Sequence, residues 1–399
     1  MTQHPALVPR APTRAVSEDR LRILQTLKRL AARGPSPWPV VSVYVNTRPV
    51  GTSMSTYRPF LKKRLAEEMK AFKQRSPEHE SLSVDTARVQ HYLDYDLKES
   101  TRAAAVFACY GDGDVFDAVQ VPVEFPEHRV SVGPLAALYP LMRVADRNHR
   151  AAVLVSDTNH ARLFTVTLGA VEVRREVRSP ALHRSKNAGE GDSSHAQRHV
   201  DEAWRRHARQ AVQALEDLAH ESAATWILLG GEEVILPELD GALTTAARER
   251  LLGRFAWDIR IPEADLARAV DSAVEQRESA HRIARAGELV SSVPHEGALL
   301  GVEPVVAALT AGRVSELYLS DSFPANIEAW ACRACRSFGA GAAPPVCPVC
   351  GRAELQGVSL REELGAQALS QGADVRFVAA AAVPGFDARG GVGAFTRYP

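Results

Sequence analysis

Cys332, Cys335, Cys347 and Cys350 form two Cys-x-x-Cys pairs separated by eleven residues. Two residues between cysteines let both sulfurs of a tight turn face one ion about 2.3 Å away, and two such turns complete a tetrahedral shell. With every position taken by thiolate, no place is left for water or substrate. The chemistry implied is a structural Zn2+ site, iron being the other ion such a thiolate set accepts. The chain has five cysteines in all, and the packing of four into so short a span is the pattern of a metal site and not of a disulfide framework. Cys109 ends the apolar run Ala103–Cys109 and reads as a core residue.

A second concentration of chemistry-bearing side chains is basic. Residues 182–210 read LHRSKNAGEGDSSHAQRHVDEAWRRHARQ, a polar loop followed by an amphipathic helix expected from Ser194 to His220. The loop offers Arg184, Lys186, Gly189 and Gly191. On the helix, spacing puts Val200, Trp204, Ala208, Ala211 and Leu215 on one face and His195, Arg198, His199, Arg205, Arg206 and Arg209 on the other. A basic face beside a glycine-bearing loop suits a phosphate backbone. Asp201 and Glu202 offset part of the charge, as on an ordinary solvated helix, and Trp204 reads as a core anchor. His195, His199 and His207 lack an acidic or thiol partner at ligand spacing, so they are not read as a metal site.

No catalytic residue is expected elsewhere. Gly230-Gly231 follows a strand but runs into Glu232-Glu233 without completing a phosphate-binding fingerprint, and no serine sits in an elbow motif. Asp157, Glu172 and Glu176 make no carboxylate cluster for two metals. Lys+Arg and Asp+Glu are both 48, which excludes a protein that coats nucleic acid through bulk charge. Any acidic partner is met by a local patch, and DNA is not an expected partner. The absence of an apolar run of membrane length and of an apolar stretch near the N-terminus predicts a cytoplasmic protein without membrane contact.

The elements that carry these residues read as a multidomain α/β (α+β) chain. Residues 1–148 predict an N-terminal α/β domain, with a helix from Ser17 to Arg33, strands at Val40–Asn46, Ala103–Cys109 and Val115–Val123, and a helical periodicity from Tyr57 to Phe72. Residues 149–262 predict an antiparallel meander (151–156, 161–167, 171–177), the long helix, a strand at Trp226–Leu229, a helix at Leu243–Phe255 and a strand at Ala256–Ile261. That order is the order of a ribonuclease-H-like layer. Residues 263–399 open with a charged helix from Glu263 to Gly287 and then alternate helix and strand, with the cysteines inserted at 330–352.

Three features in one order carry a resemblance. Ser315-Glu316-Leu317-Tyr318-Leu319-Ser320-Asp321, the Cys332–Cys350 ribbon, Ala373-Asp374-Val375-Arg376-Phe377-Val378 and the closing Gly390-Gly391-Val392-Gly393-Ala394-Phe395-Thr396-Arg397-Tyr398 resemble the third domain of the archaeal and eukaryotic class-1 release factors and Pelota. That domain is similar to kink-turn-binding ribosomal proteins and carries an inserted zinc module. Residues 149–261 resemble their second domain, whose loop before a long helix bears Gly-Gly-Gln. The first domain matches through Val41–Asn46 and Val130–Leu135. The whole is similar to bacterial members of the superfamily, including the Balon-type ribosome hibernation factors.

The departures matter as much. The loop reads Asn187-Ala188-Gly189-Glu190-Gly191-Asp192, and neither Gly-Gly-Gln nor Asn-Ile-Lys-Ser occurs in the chain. The resemblance therefore implies a non-enzymatic factor that occupies the ribosomal A site and reaches the peptidyl transferase centre, in hibernation or protection, without releasing peptide or reading stop codons. Its implied partners are ribosomal RNA and elongation factor Tu. The alternative is a peptidyl-tRNA hydrolase or rescue factor with a non-standard loop, for which Gln197 is the nearest glutamine.

Overall fold

The computed structural model describes residues 15–47, 57–99, 101–180, 193–291 and 297–398. Helix α1 (Ala15–Arg33) leads to β1 (Val40–Asn46), α2 (Tyr57–Met69), α3 (Pro77–Tyr95), β2 (Ala103–Cys109), β3 (Val115–Val121), β4 (Arg129–Gly133) and α4 (Tyr139–Asp146). The strands form an antiparallel sheet in the order β3-β2-β1-β4. Alternation along each strand divides its side chains between two faces. Val41, Val43, Val45, Ala104, Val106 and Ala108 pack with Tyr57, Leu61 and Leu65 of α2 and Leu82, Val89 and Leu93 of α3. Tyr44 points the other way and meets Phe107 and Phe125 edge to face. Strand β2 is consequently buried at every residue. Helix α3 is not foreseen by the spacing. Its start is set locally by Ser76, whose hydroxyl accepts from the His79 N–H, and by Pro77 in the first turn.

The middle segment holds β5 (Arg150–Ser156), β6 (His160–Thr167), β7 (Ala170–Arg178), α5 (Ser193–Glu221), β8 (Trp226–Gly231), α6 (Leu236–Ala242), α7 (Thr245–Glu249), β9 (Leu251–Phe255) and α8 (Glu263–Ser291). The sheet order is β7-β6-β5-β8-β9, antiparallel across the meander and parallel from β5 through β8 to β9. Ala152, Leu154, Ala161 and Leu163 bury against Ala208, Ala211, Leu215 and Leu218 of α5. Ala151, Val153 and Val155 bury on the opposite face against Leu266, Ala267 and Val270 of α8. One detail corrects the sequence reading: Leu243–Phe255 is not one helix, and Ala256–Ile261 is not a strand. Leu243 is extended, Thr244 caps the short α7, and parallel pairing to β8 claims Leu251–Phe255. Trp257 then stacks on Phe255, rings 4.5 Å apart.

The remaining elements are β10 (Ala298–Leu300), α9 (Val302–Thr310), β11 (Val314–Ser320), β12 (Glu328–Cys332), β13 (Phe338–Ala340), β14 (Leu355–Ser359), α10 (Leu360–Ser370), β15 (Asp374–Val378) and β16 (Val392–Thr396). They make a mixed sheet, β10-β16-β11-β15, in which β11 and β15 are parallel, and a separate three-stranded sheet, β13-β12-β14. Contacts divide the chain into two compact units, one centred on residues 148–278 and one made of residues 18–147 with 279–399. The second unit is tied internally by buried polar groups. The Tyr139 N–H donates to Glu362 at 2.9 Å, and Asp146 accepts from the Phe377 N–H at 3.1 Å and from Arg376 at 3.3 Å. Among the described residues no helix is long and apolar enough to cross a membrane.

Candidate metal centre and basic helix

Strand β12 delivers Cys332 to the end of the small sheet, and the chain turns there twice in the same way. The Cys332 carbonyl accepts from the Arg336 N–H at 2.9 Å, and the Cys347 carbonyl accepts from the Gly351 N–H at 2.9 Å. The Cys332 N–H donates to the Ser337 carbonyl and the Cys347 N–H to the Arg352 carbonyl, each at 2.8 Å. Each hook closes on a left-handed residue, Arg336 at φ 66° and Gly351 at φ 75°. The two hooks are copies of one backbone device.

Their sulfurs converge. The four Sγ atoms lie within 4.8 Å of one another, with Cys332 to Cys350 at 3.7 Å and Cys335 to Cys347 at 3.6 Å. Sulfurs placed about 2.3 Å from a tetrahedral ion stand about 3.8 Å apart. The residues therefore fit a tetrahedral ion. Cys332 and Cys347 are buried with Trp330, and Leu355 packs against them. The Ser337 hydroxyl lies 3.0 Å from the Cys335 sulfur and 3.1 Å from that of Cys347, where it can donate to a thiolate. Four thiolates around one ion would leave it no open position, the arrangement of a structural site.

In the other unit, α5 is 29 residues long, and among its described side chains the first fully buried are His207 and Ala208. The turns before them carry exposed Arg198, His199, Arg205 and Arg206, and Arg209 is exposed just beyond. Arg205 lies 3.5 Å from Glu238. Among the described residues Arg198, Arg206 and Arg209 have no ion-pair partner. Trp204 packs partly against the core, as expected of an anchor. Arg184, Lys186, Gly189 and Gly191 lie outside the described residues, as does the side chain of His195.

His207 stands apart from the other histidines of the helix. It is 1% exposed, with Nε2 3.0 Å from the Ser156 hydroxyl and Nδ1 2.8 Å from the Ser179 hydroxyl. The Ser156 hydroxyl reaches the carbonyls of Asp157 and His160 at 2.8 and 3.1 Å. A carbonyl cannot donate, so Ser156 gives its proton there and accepts from Nε2–H. Nδ1 is then the acceptor for Ser179. His207 thus pins the ends of β5 and β7 to the helix. The spacing that names Trp204 and Ala211 as inward also covers position 207, which was the available signal.

Burial holds the His207 pKa below its ordinary 6.5. The unfolded chain then binds the proton more readily than the folded one. The stability that His207 contributes is full above pH 6.5 and falls as the solution is acidified below it. Replacing His207 by alanine should cost about 1–3 kcal/mol at pH 7.5 by removing a buried ring together with its hydrogen bonds to Ser156 and Ser179, and it should flatten the acid limb. Urea midpoints between pH 5 and 8 test both. An acid limb unchanged by H207A would refute the assignment.

The acidic residues weighed for catalysis have structural partners. Asp157 accepts from the Asn159 and His160 N–H groups, Glu172 lies 3.1 Å from Arg150 in the core, and Glu176 pairs with Arg178 at 3.0 Å. The Gly230-Gly231 pair is explained by packing. A Cβ at Gly230 would meet the Trp257 ring at 2.6 Å, and one at Gly231 the Ser156 carbonyl at 2.4 Å.

A mixed α/β chain of several sheets with a four-cysteine centre is the class these features define. Residues 137–285, the whole middle sheet and its flanks, match the model of the family described as bacterial archaeo-eukaryotic release factor family 10. Over those residues the chain is similar to this bacterial family of archaeo-eukaryotic release factors. No curated protein matches it in sequence. Among solved structures, the archaeal translation termination factor aRF1 is 15% identical over 96% of this chain and 98% of its own, with a TM-score of 0.26. S. cerevisiae Dom34, a translation termination-like factor, is 11% identical over 74% of this chain and 81% of its own, with a TM-score of 0.39. Archaeal Pelota, from a model of the ribosome-bound protein with ABCE1, is 13% identical over 98% and 99%, with a TM-score of 0.40.

Proposed function

We propose that this protein is a ribosome-binding translation factor that occupies the A site in hibernation or protection and releases no peptide. The observation that carries this reading is the exposed basic stretch of α5. In a segment that matches a release-factor family, the helix presents Arg198, Arg205, Arg206 and Arg209 around turns that its own sheet does not bury. Arg198, Arg206 and Arg209, which have no ion-pair partner among the described residues, suit phosphate. The sequence ahead of that helix lacks Gly-Gly-Gln, which speaks against hydrolysis of the peptidyl ester. Three antiparallel strands continued by two parallel ones support a ribonuclease-H-like assignment for this segment. The four thiolates suit Zn2+ over harder ions. In this reading the partners are the ribosomal RNA of the A site and peptidyl transferase centre and, by the resemblance, elongation factor Tu.

Co-sedimentation with ribosomes across a salt series tests the proposal. Replacing Arg198, Arg205, Arg206 and Arg209 together by alanine should weaken binding at least ~10-fold at low salt and reduce the slope of log K against log salt by about 3–4. Equal pelleting of wild type and variant at every salt would refute the role of this face. Freed peptide from stalled ribosome complexes would replace protection by rescue.

A further inference from the structure

The two cysteine hooks close on different residues, and the difference has a consequence far along the chain. The second hook closes on Gly351, the residue type that takes a left-handed conformation without strain. The first closes on Arg336 in the same conformation, φ 66°, which a long side chain adopts at a cost. What the arginine does there is visible at the other end of its side chain. Nη1 donates to the Ala32 carbonyl at 2.7 Å and Nη2 to the Ala31 carbonyl at 2.9 Å. These belong to the last turn of α1, whose carbonyls have no partner within the helix and whose dipole favours a cation.

Gly34, just past the helix end, fits the same arrangement. A Cβ there would stand 2.6 Å from the Arg336 guanidinium carbon, so the glycine leaves the space that the cap fills. The backbone of Arg336 is held from both sides. Its N–H bonds the Cys332 carbonyl at 2.9 Å. Its carbonyl accepts from Gln367 Nε2 at 2.9 Å, and the same amide donates to buried Glu363 at 2.7 Å.

We infer that metal occupancy of the four-cysteine centre controls the anchoring of the N-terminal helix, with Arg336 as the link. An ion that fixes Cys332 and Cys335 fixes the left-handed turn between them and the cap, and so aims the guanidinium at the end of α1. Loss of the ion frees the turn, and the helix loses its cap. Helix α1 otherwise holds to this unit through Ile23, Leu27, Leu30 and Ala31, which are buried, and through Arg29 with Asp117 and Arg33 with the Asp112 carbonyl. The released state is therefore a frayed or lifted helix in a folded chain. The inference rests on the reading of the centre as a metal site.

Hydrogen exchange with mass spectrometry on the full chain tests it, in the zinc-loaded, chelator-stripped and zinc-restored states, with metal content measured on each sample. In stripped wild type the amides of residues 29–35 should exchange at least ~10-fold faster than in the loaded protein, and restored zinc should reverse this. Loaded R336A should keep its metal and show the same acceleration. R336K, which keeps the charge but lacks the planar fork that sends one nitrogen to each carbonyl, should fall between. Strands β5 and β6 serve as the internal reference. If stripping accelerates them as well, loaded R336A decides. Unchanged exchange at residues 29–35 in loaded R336A overturns the proposal, whereas failure to retain zinc in wild type overturns the metal reading beneath it.

Discussion

Cys347→Ser is expected to reduce the retained metal from about one ion per chain to below about 0.1. The side chain is 1% exposed, and its sulfur stands 3.6 Å from that of Cys335. A serine hydroxyl at that place is a hard, protonated donor that a thiolate-seeking ion does not accept. The effect should spread beyond the ion. Sheet β13-β12-β14 has three strands, and its apolar centre is Trp330 and two of the cysteines, with Leu355 packed against them. So small a core does not stand by itself, while structural zinc contributes on the order of 10 kcal/mol or more in small zinc domains. Elemental analysis after dialysis against a chelator reads the first effect, and loss of protection across residues 328–359 reads the second. Cys109→Ser is the control, since that thiol is buried in β2 and is not one of the four clustered sulfurs. A Cys347→Ser protein with full metal content would refute the four-thiolate site.

Asp146→Ala should cost about 3–5 kcal/mol of stability, the range for removing one partner of a buried charge pair. The Asp146 side chain ends α4 and is 1% exposed, with Arg376 at 3.3 Å and Arg282 at 3.7 Å. Its second oxygen accepts from the Phe377 N–H at 3.1 Å. One carboxylate thus joins the N-terminal segment to β15 and α8. Burial pushes its pKa up, against the pull of Arg282 and Arg376, so the pair is costly to bury. The penalty of the alanine comes from what it leaves behind, the Phe377 N–H without its acceptor and two arginines without the carboxylate between them. Asp146→Asn keeps an acceptor for the N–H and should lose less. Denaturant midpoints of the three proteins give the order, and a cost under 1 kcal/mol for alanine would show that water reaches the pair.

How much of this was legible differs from residue to residue. Strand β2 reads directly from its run of buried-type residues, because both faces of its sheet are covered. Helix α5 reads equally well, since a stripe at helical spacing with charge opposite it has only one regular conformation that separates the two. The limits of α7 and β9 were not legible. Leu251 to Phe255 continue a helical pattern as well as they make a strand, and only pairing to β8 chooses. Helix α3 escaped because Ser81 and Asp85 stand among its buried positions, which blurs an apolar stripe. Their partners, the Gly111 and Tyr110 N–H groups, come from a distant turn.

Local chemistry in the chain by itself determined two things about this protein: a cluster of four cysteines that could hold one ion, since their spacing already shapes two turns that face one another, and a helix with a basic face. Tertiary structure alone decided which histidine is buried, that Arg336 spans about three hundred positions to cap α1, and that residues 18–147 and 279–399 close into one unit. These depend on groups far apart in sequence meeting where no water can satisfy them. A buried donor or acceptor must find its partner wherever packing brings one, and spacing along the chain does not say where that is.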